Sequence, residues 1–149
     1  MLPSSILMVC TGNLCRSPFA AGYMQKCLAE AQADVECFSR GLVALPGHGA
    51  PETARQVALE FDVDLSGHVA QPLLGADLDR AGLVLVMERG HRQHAAKLRP
   101  ASIGKVFLLS QPAGGETIED PMGRSVETFR RVYSEITNHV ESWMRRFGY

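Results

Sequence analysis

The apolar positions of this chain change their period from one stretch to the next. Ile6-Leu7-Met8-Val9 is an unbroken apolar run, the pattern of a strand buried on both faces. From Pro18 to about Ala33 the period lengthens, with Phe19, Met24 and Leu28 at helical spacing. Val35 to Ser39 reads as a second strand, and Gly41 to Gly49 as a loop carrying Leu42, Leu45 and Pro46. Glu52 to about Phe61 predicts a helix that turns Ala54, Val57, Ala58 and Phe61 inward, followed by a loop through Leu65-Ser66-Gly67-His68. Leu83 to Met87 is the clearest fully apolar strand. Gly90 to Leu98 is a short helix closed by Pro100, and Val106 to Leu109 is the last strand. A long loop from Ser110 to Gly123 precedes a helix from about Arg124 to Phe147. Val126, Phe129, Val132, Tyr133, Ile136, Val140 and Met144 share one face of it.

Strands alternating with helices predict an α/β fold: a four-stranded parallel sheet with right-handed crossovers and helices on both faces. No repeat, low-complexity segment or second hydrophobic unit breaks the pattern, so residues 1–149 are expected to form a single domain. Ligands of such sheets bind beyond the carboxyl ends of the strands. The first strand ends at Cys10.

The segment after that strand carries chemistry: Cys10-Thr11-Gly12-Asn13-Leu14-Cys15-Arg16-Ser17-Pro18. Ser17 suits an N-cap and Pro18 a first helical position, which places the start of the helix. Gly12 and Asn13 tolerate backbone angles that other residues avoid, as a loop with inward-pointing amides requires. Converging N–H groups and the positive end of the helix dipole make an anion cradle. A thiolate is the form of cysteine that such a cradle favours. Arg16 adds a planar fork suited to two phosphate oxygens at once. A lone cysteine here would read as a buried residue in an ordinary turn. The cysteine and arginine together, after a strand and before Ser-Pro, read instead as a nucleophile at the bottom of a phosphate loop.

Composition adds boundaries. The 149 residues are 46% hydrophobic and 21% charged with a net charge of −1, the balance of an ordinary globular protein. Neither a nucleic-acid surface nor membrane insertion is expected. The basic residues are spread along the chain apart from Arg145-Arg146, which reads as a solvated helix end. The N-terminus lacks the pattern of a signal peptide. Cys10, Cys15, Cys27 and Cys37 have no metal-ligand spacing and read as reduced thiols, so a cytoplasmic location is expected, with no metal and no cofactor.

A thiolate that attacks a phosphate monoester expels an alkoxide or phenolate, which needs a proton. Asp120 in Glu119-Asp120-Pro121 is the candidate acid. Pro121 biases it to extended backbone, presenting the carboxyl outward. Asp-Pro alone would read as a turn. Its place in an unusually long loop, in a chain whose phosphate loop requires an acid, favours catalysis.

Val9 to Pro18 together with Asp120-Pro121 resembles the low-molecular-weight protein tyrosine phosphatases, and the similarity extends through chain length, element order, Ser39-x-Gly41 and Gly67-His68. Met87-Glu88-Arg89-x-His91 and the loop from Gly41 to Pro51 are most similar to the bacterial enzymes paired with tyrosine kinases of capsule or exopolysaccharide export. The resemblance implies that Cys10 forms a phosphocysteine and Arg16 holds the equatorial oxygens. Asp120 would protonate the tyrosine oxygen and later activate water. It also implies that Ser17 steadies the thiolate, while Asn13, Ser39 and His68 keep the loop rigid, within a phosphate loop of Thr11, Gly12, Asn13, Leu14, Cys15 and Ser17. The implied partners are a phosphotyrosine protein, such as a bacterial tyrosine autokinase, and inorganic phosphate as product and inhibitor; the protein is expected to act as a monomer.

The chain departs from the family in two places. Met122-Gly123 stands where some members carry two regulatory tyrosines, and Leu42, Val43 and Leu45 where some place an aromatic wall. Leu14, Leu42, Leu45 and Met122 are therefore the expected substrate cleft. Three rivals remain. Arsenate reductases of this fold need cysteines well downstream, and none follows Cys37. Protein-arginine phosphatases carry threonine in place of Leu14. A phosphocarrier would need neither Arg16 nor a distant acid.

Overall fold

The computed structural model describes residues 2–149. Its sheet contains β1 (Ser5–Cys10), β2 (Glu36–Gly41), β3 (Leu83–Val86) and β4 (Val106–Leu108), all parallel, in the order β2-β1-β3-β4. Five α-helices connect and cover them: α1 (Arg16–Glu30), α2 (Glu52–Leu59), α3 (Gly75–Arg80), α4 (Arg89–Leu98) and α5 (Val126–Phe147). The expected α/β architecture is the observed one, with boundaries shifted by a few residues.

Period-two alternation in the strands sorts the core onto two faces. Ile6, Met8, Leu83 and Leu85 face α1, α2 and α5, where Phe19, Met24, Val57, Phe129 and Ile136 meet them. Leu7, Val9, Val84, Val86 and Val106 face the other way, onto Leu78 of α3 and Ala95 of α4. Because both faces are covered, the central strands are apolar at nearly every position, which is why β1 and β3 stand out in the sequence.

Three local expectations need correction. Ser17 is not the N-cap of α1: Cys15 holds that position, without a side-chain cap, and Pro18 is the third helical residue. Proline is tolerated there because the N–H groups of the first turn lack helical partners in any case. The Ser17 hydroxyl is drawn instead to Cys10 Sγ, at 2.9 Å. Secondly, α3 has no counterpart in the sequence pattern. Its six residues are too few to show a period, and Asp77 starts it by accepting a hydrogen bond from the Leu74 N–H at 2.9 Å. Finally, the long loop before α5 contains a 3-10 turn at Gln111–Ala113.

The order of the strands positions the site. From β1 the chain crosses outward to β2, and then returns past β1 to β3. The carboxyl ends of β1 and β3 therefore flank the switch point at which such sheets bind ligands. Cys10 ends β1, and Glu88 follows β3 by two residues.

Candidate active site

The loop from Cys10 to Arg16 wraps the sulfur of Cys10. The Asn13 N–H donates to Cys10 Sγ at 3.2 Å, with Asn13 in the left-handed region at φ 56°. That conformation is uncommon outside glycine, and here every polar group of Asn13 is used to hold it. Its side-chain amide donates to Ser17 Oγ (2.8 Å) and Ser39 Oγ (2.9 Å), and its Oδ1 accepts from the Gln71 N–H (2.9 Å). Its carbonyl accepts from His68 Nε2 at 2.6 Å. A carbonyl cannot donate, so His68 carries its proton on Nε2; burial lowers the pKa of this histidine and keeps it neutral.

Proton accounting then orients Ser17. Its oxygen already accepts from Asn13, and of the two acceptors within reach of its one hydrogen Cys10 Sγ at 2.9 Å is much nearer than Arg40 O at 3.5 Å, so the hydroxyl points at the sulfur. Two donors thus aim at the sulfur. Gly41 allows this packing: a Cβ there would lie 2.8 Å from Asn13 N and from Thr11 O. Beyond it, the N–H groups of Leu42 and Val43 donate to Cys10 O and Thr11 O, fastening the loop to the end of β2. From the other side Tyr133 of α5, stacked on Phe19 with ring centroids 3.9 Å apart, donates its hydroxyl to Cys15 O at 2.8 Å.

Arg16 is buried, an uncommon place for a guanidinium. Its Nη1 donates to Glu88 Oε2 (2.7 Å) and to Ile118 O (2.9 Å), which fixes the plane of the fork. Its Nη2 lies 3.8 Å from Asp120 Oδ2. Asp120 is half exposed, and its other oxygen accepts from the Met122 N–H at 3.1 Å, which turns Oδ2 toward the arginine. Cys10, Gly12, Leu14, Cys15, Arg16, Asp120 and Met122 enclose a narrow cavity of about 40 Å³. Within it Cys15 is a poor nucleophile. Burial, with Asp120 and Cys10 nearby, pushes its thiol up to about 12, and its sulfur rests 3.6 Å from Met122 Sδ.

The expected site residues are therefore brought together, with two exceptions. Leu42 packs against the core beneath the sheet, and Leu45 stands exposed on its loop; neither lines the cavity. Leu42 leaves the end of β2 on the face that buries Phe38, so the sheet's own alternation turns it away. The apolar walls are Leu14 and Met122.

Two supporting residues enter the sequence reading only through the resemblance. Glu88 grips Arg16, and His91 links Glu88 (3.6 Å) to Thr11 Oγ1 (3.0 Å). His91 Nδ1 accepts from the Met87 N–H, so the proton of the neutral ring sits on Nε2 and serves Thr11. One signal could have singled them out: both follow a buried parallel strand at its carboxyl end.

Burial, reinforced by the Arg16 cation and opposed by Glu88, holds the His91 pKa well below the ordinary imidazole value. The unfolded ring binds a proton where the folded ring does not. Its contribution to stability is thus present above about pH 6.5 and is lost as pH falls below that value. His68 adds in the same direction. Urea unfolding between neutral and mildly acidic pH should show stability declining, with a shallower decline in His91→Gln. Equal slopes in the two proteins would assign the acid limb to other groups.

Residues 5–148 match the family model described as low molecular weight phosphotyrosine protein phosphatase. A probable low molecular weight protein-tyrosine-phosphatase of Erwinia amylovora, AmsI, is 38% identical over 142 residues, covering 95% of each chain. Its crystal structure superimposes with a TM-score of 0.91, covering 97% of this chain and 93% of that one. The low molecular weight protein-tyrosine-phosphatase Wzb of Escherichia coli K12 is 36% identical over 94% of this chain and 92% of its own. The arginine phosphatase YwlE of Geobacillus stearothermophilus also shares the fold, at 31% identity and a TM-score of 0.89, over 98% of this chain and 94% of that one. With its cysteine, arginine and aspartate gathered in one cavity and this match along nearly its whole length, the chain belongs to the low molecular weight protein tyrosine phosphatases.

Proposed function

We propose that this protein hydrolyses phosphotyrosine in proteins through a phosphocysteine intermediate. In the first step Cys10 Sγ attacks phosphorus. Arg16 Nη2 and the loop amides hold the non-bridging oxygens, the P–O bond to the ring breaks, and Asp120 gives its proton to the departing phenolate. In the second step Asp120, now a carboxylate, takes a proton from water as the water attacks phosphorus. The S–P bond breaks, and thiolate and inorganic phosphate are released. The observation that carries this reading is the placement of Asp120 Oδ2 3.8 Å from Arg16 Nη2, across the cavity from a sulfur already met by two donors. Release of phenolate from an aryl phosphate, with phosphate trapped on Cys10 after rapid acid quench, tests it. A phosphocarrier would load the cysteine and fail to turn over.

The apolar walls favour an aromatic substrate. A phenyl ring can pack between Leu14 and Met122, a contact worth on the order of 1–2 kcal/mol at about 25 cal/mol per Å². A phosphoserine is too short to reach them with its phosphate seated at the bottom. Phosphotyrosine peptides should accordingly exceed phosphoserine peptides by at least about tenfold in kcat/KM, since about 1.4 kcal/mol is a factor of ten. The likeness to YwlE supplies the second reading, an arginine phosphatase. Leu14 opposes it, because its aliphatic wall offers a guanidinium no acceptor where threonine would offer a hydroxyl. Leu14→Thr should raise turnover of phosphoarginine relative to phosphotyrosine. A parent that cleaves both equally, or an unchanged ratio in the variant, would remove the role of Leu14 in selection.

On the physiological side, the resemblance to enzymes of capsule and exopolysaccharide export supports an action opposing a bacterial tyrosine autokinase in the cytoplasm, as a monomer. Inorganic phosphate would be product and competitive inhibitor. Among the described residues no helix is long and apolar enough to cross a membrane.

A further inference from the structure

Besides the Arg145-Arg146 pair, one longer stretch of the chain is basic without any acid in it. Between Arg89 and Gly115 there are five lysines and arginines and no aspartate or glutamate, in a chain whose net charge is −1. The fold gathers part of that stretch into a groove of about 460 Å³ between α4 and β4, lined by Arg89, Arg92, Gln93, Phe107 and Gln111 with the backbone of β4. Elsewhere on the surface Arg80, Arg99, Arg124, Arg130 and Arg131 each meet a carboxylate. Among the described residues neither Arg89 nor Arg92 is in an ion pair.

The groove is also pre-shaped. Arg92 Nε donates to Val106 O at 3.1 Å, which lays the side chain along the strand and leaves its terminal nitrogens for an incoming acceptor. Phe107, 38% exposed, borders the groove at the strand edge, its ring turned toward Trp143 of α5 with centroids 6.0 Å apart. β4 is an edge strand, paired only with β3. Arginine forks, amide side chains and a strand edge, its Val106 carbonyl already taken by Arg92, together fit an extended peptide rich in carboxylates better than a small anion. The groove starts one residue beyond the support of the catalytic arginine. Arg89 is the residue after Glu88, whose carboxylate grips Arg16.

We propose that this groove docks an acidic segment of the same protein that presents the phosphotyrosine, so that one substrate spans cavity and groove. The proposal rests on the phosphotyrosine reading for its substrate, though the groove can be tested without it. Two phosphotyrosine peptides, one flanked by Asp and Glu and one by Asn and Gln at the same positions, should differ by about tenfold in kcat/KM at low ionic strength, with the gap closing in high salt. In Arg89→Gln/Arg92→Gln the gap should vanish, while a small aryl phosphate is turned over within about twofold of the parent rate, because these arginines touch neither cavity nor loop. Arg89→Gln alone, which leaves the Arg92–Val106 bond in place, should close part of the gap and guards against a local disturbance of β4.

Fluorescence anisotropy of the unphosphorylated acidic peptide provides the independent arm, with binding weakened by about tenfold in the double variant. A parent that cleaves aryl phosphate but no phosphotyrosine peptide would overturn the substrate reading, and the anisotropy arm would still decide the groove. A gap or affinity that survives the double substitution would overturn the proposal. So would an oligothymidylate of equal charge binding as tightly as the peptide, which would mark an unselective anion surface.

Discussion

Replacing Cys10 with serine is expected to abolish turnover of every phosphate monoester while leaving phosphate and vanadate binding measurable. A hydroxyl at its own pKa is a far weaker nucleophile than a thiolate, so the covalent step is lost. Anion binding rests on other groups. Asn13 would still point its N–H into the loop from its left-handed conformation, held there by Ser17, Ser39, Gln71 and His68. Arg16 would still be fixed from behind by Glu88 and Ile118. Isothermal titration of vanadate against the variant, beside a discontinuous assay of aryl phosphate hydrolysis, separates the two properties. Residual activity within about tenfold of the parent would show that Cys10 is not the nucleophile. Loss of vanadate binding together with turnover would show that the sulfur also organises the loop.

The division between what the sequence discloses and what it withholds follows the range of the interactions. Cys10, Arg16 and the glycine and asparagine between them lie within one short stretch of chain, so spacing alone declares the phosphate loop. Asp120 is reached by chemical necessity, because a thiolate that expels a phenolate needs an acid and the long loop offers Asp-Pro. The grip of Glu88 on Arg16 spans 72 residues and depends on β3 lying beside β1, a fact of sheet order rather than of local pattern. The same holds for His91 and Thr11, 80 residues apart. Ser17 shows a different limit. Its preference for helix starts is a local one, and a stronger claim on its hydroxyl, the sulfur of Cys10, overrides it. A loop position beside the site suggests the cleft for Leu42 and Leu45, but a loop position does not say which way a side chain faces. Alternation at the end of β2 sends Leu42 into the core, and Leu45 is left in solvent.

Replacing Asp120 with asparagine should lower kcat by roughly 10² to 10⁴ for unactivated aryl phosphates, the usual range for lost general acid catalysis, without raising KM. The geometry explains the split. The substituted amide would keep the acceptor that meets the Met122 N–H, so the loop retains its shape. What disappears is the carboxyl group 3.8 Å from Arg16 Nη2 that carries the transferable proton. Phosphate binding rests on Arg16 and the loop amides, so inorganic phosphate should inhibit the variant no less. The loss in rate should shrink along a series of increasingly acidic leaving groups, since a stable phenolate departs without a proton. For the most acidic of these the slow step should pass to hydrolysis of the phosphocysteine, because the same residue is needed to take a proton from the attacking water. The variant should then release one equivalent of phenolate in a burst and accumulate phosphoenzyme, which rapid quench would capture. A rate loss that is equal across the series, with no burst, would show that Asp120 serves the fold or the charge of the cavity rather than moving protons.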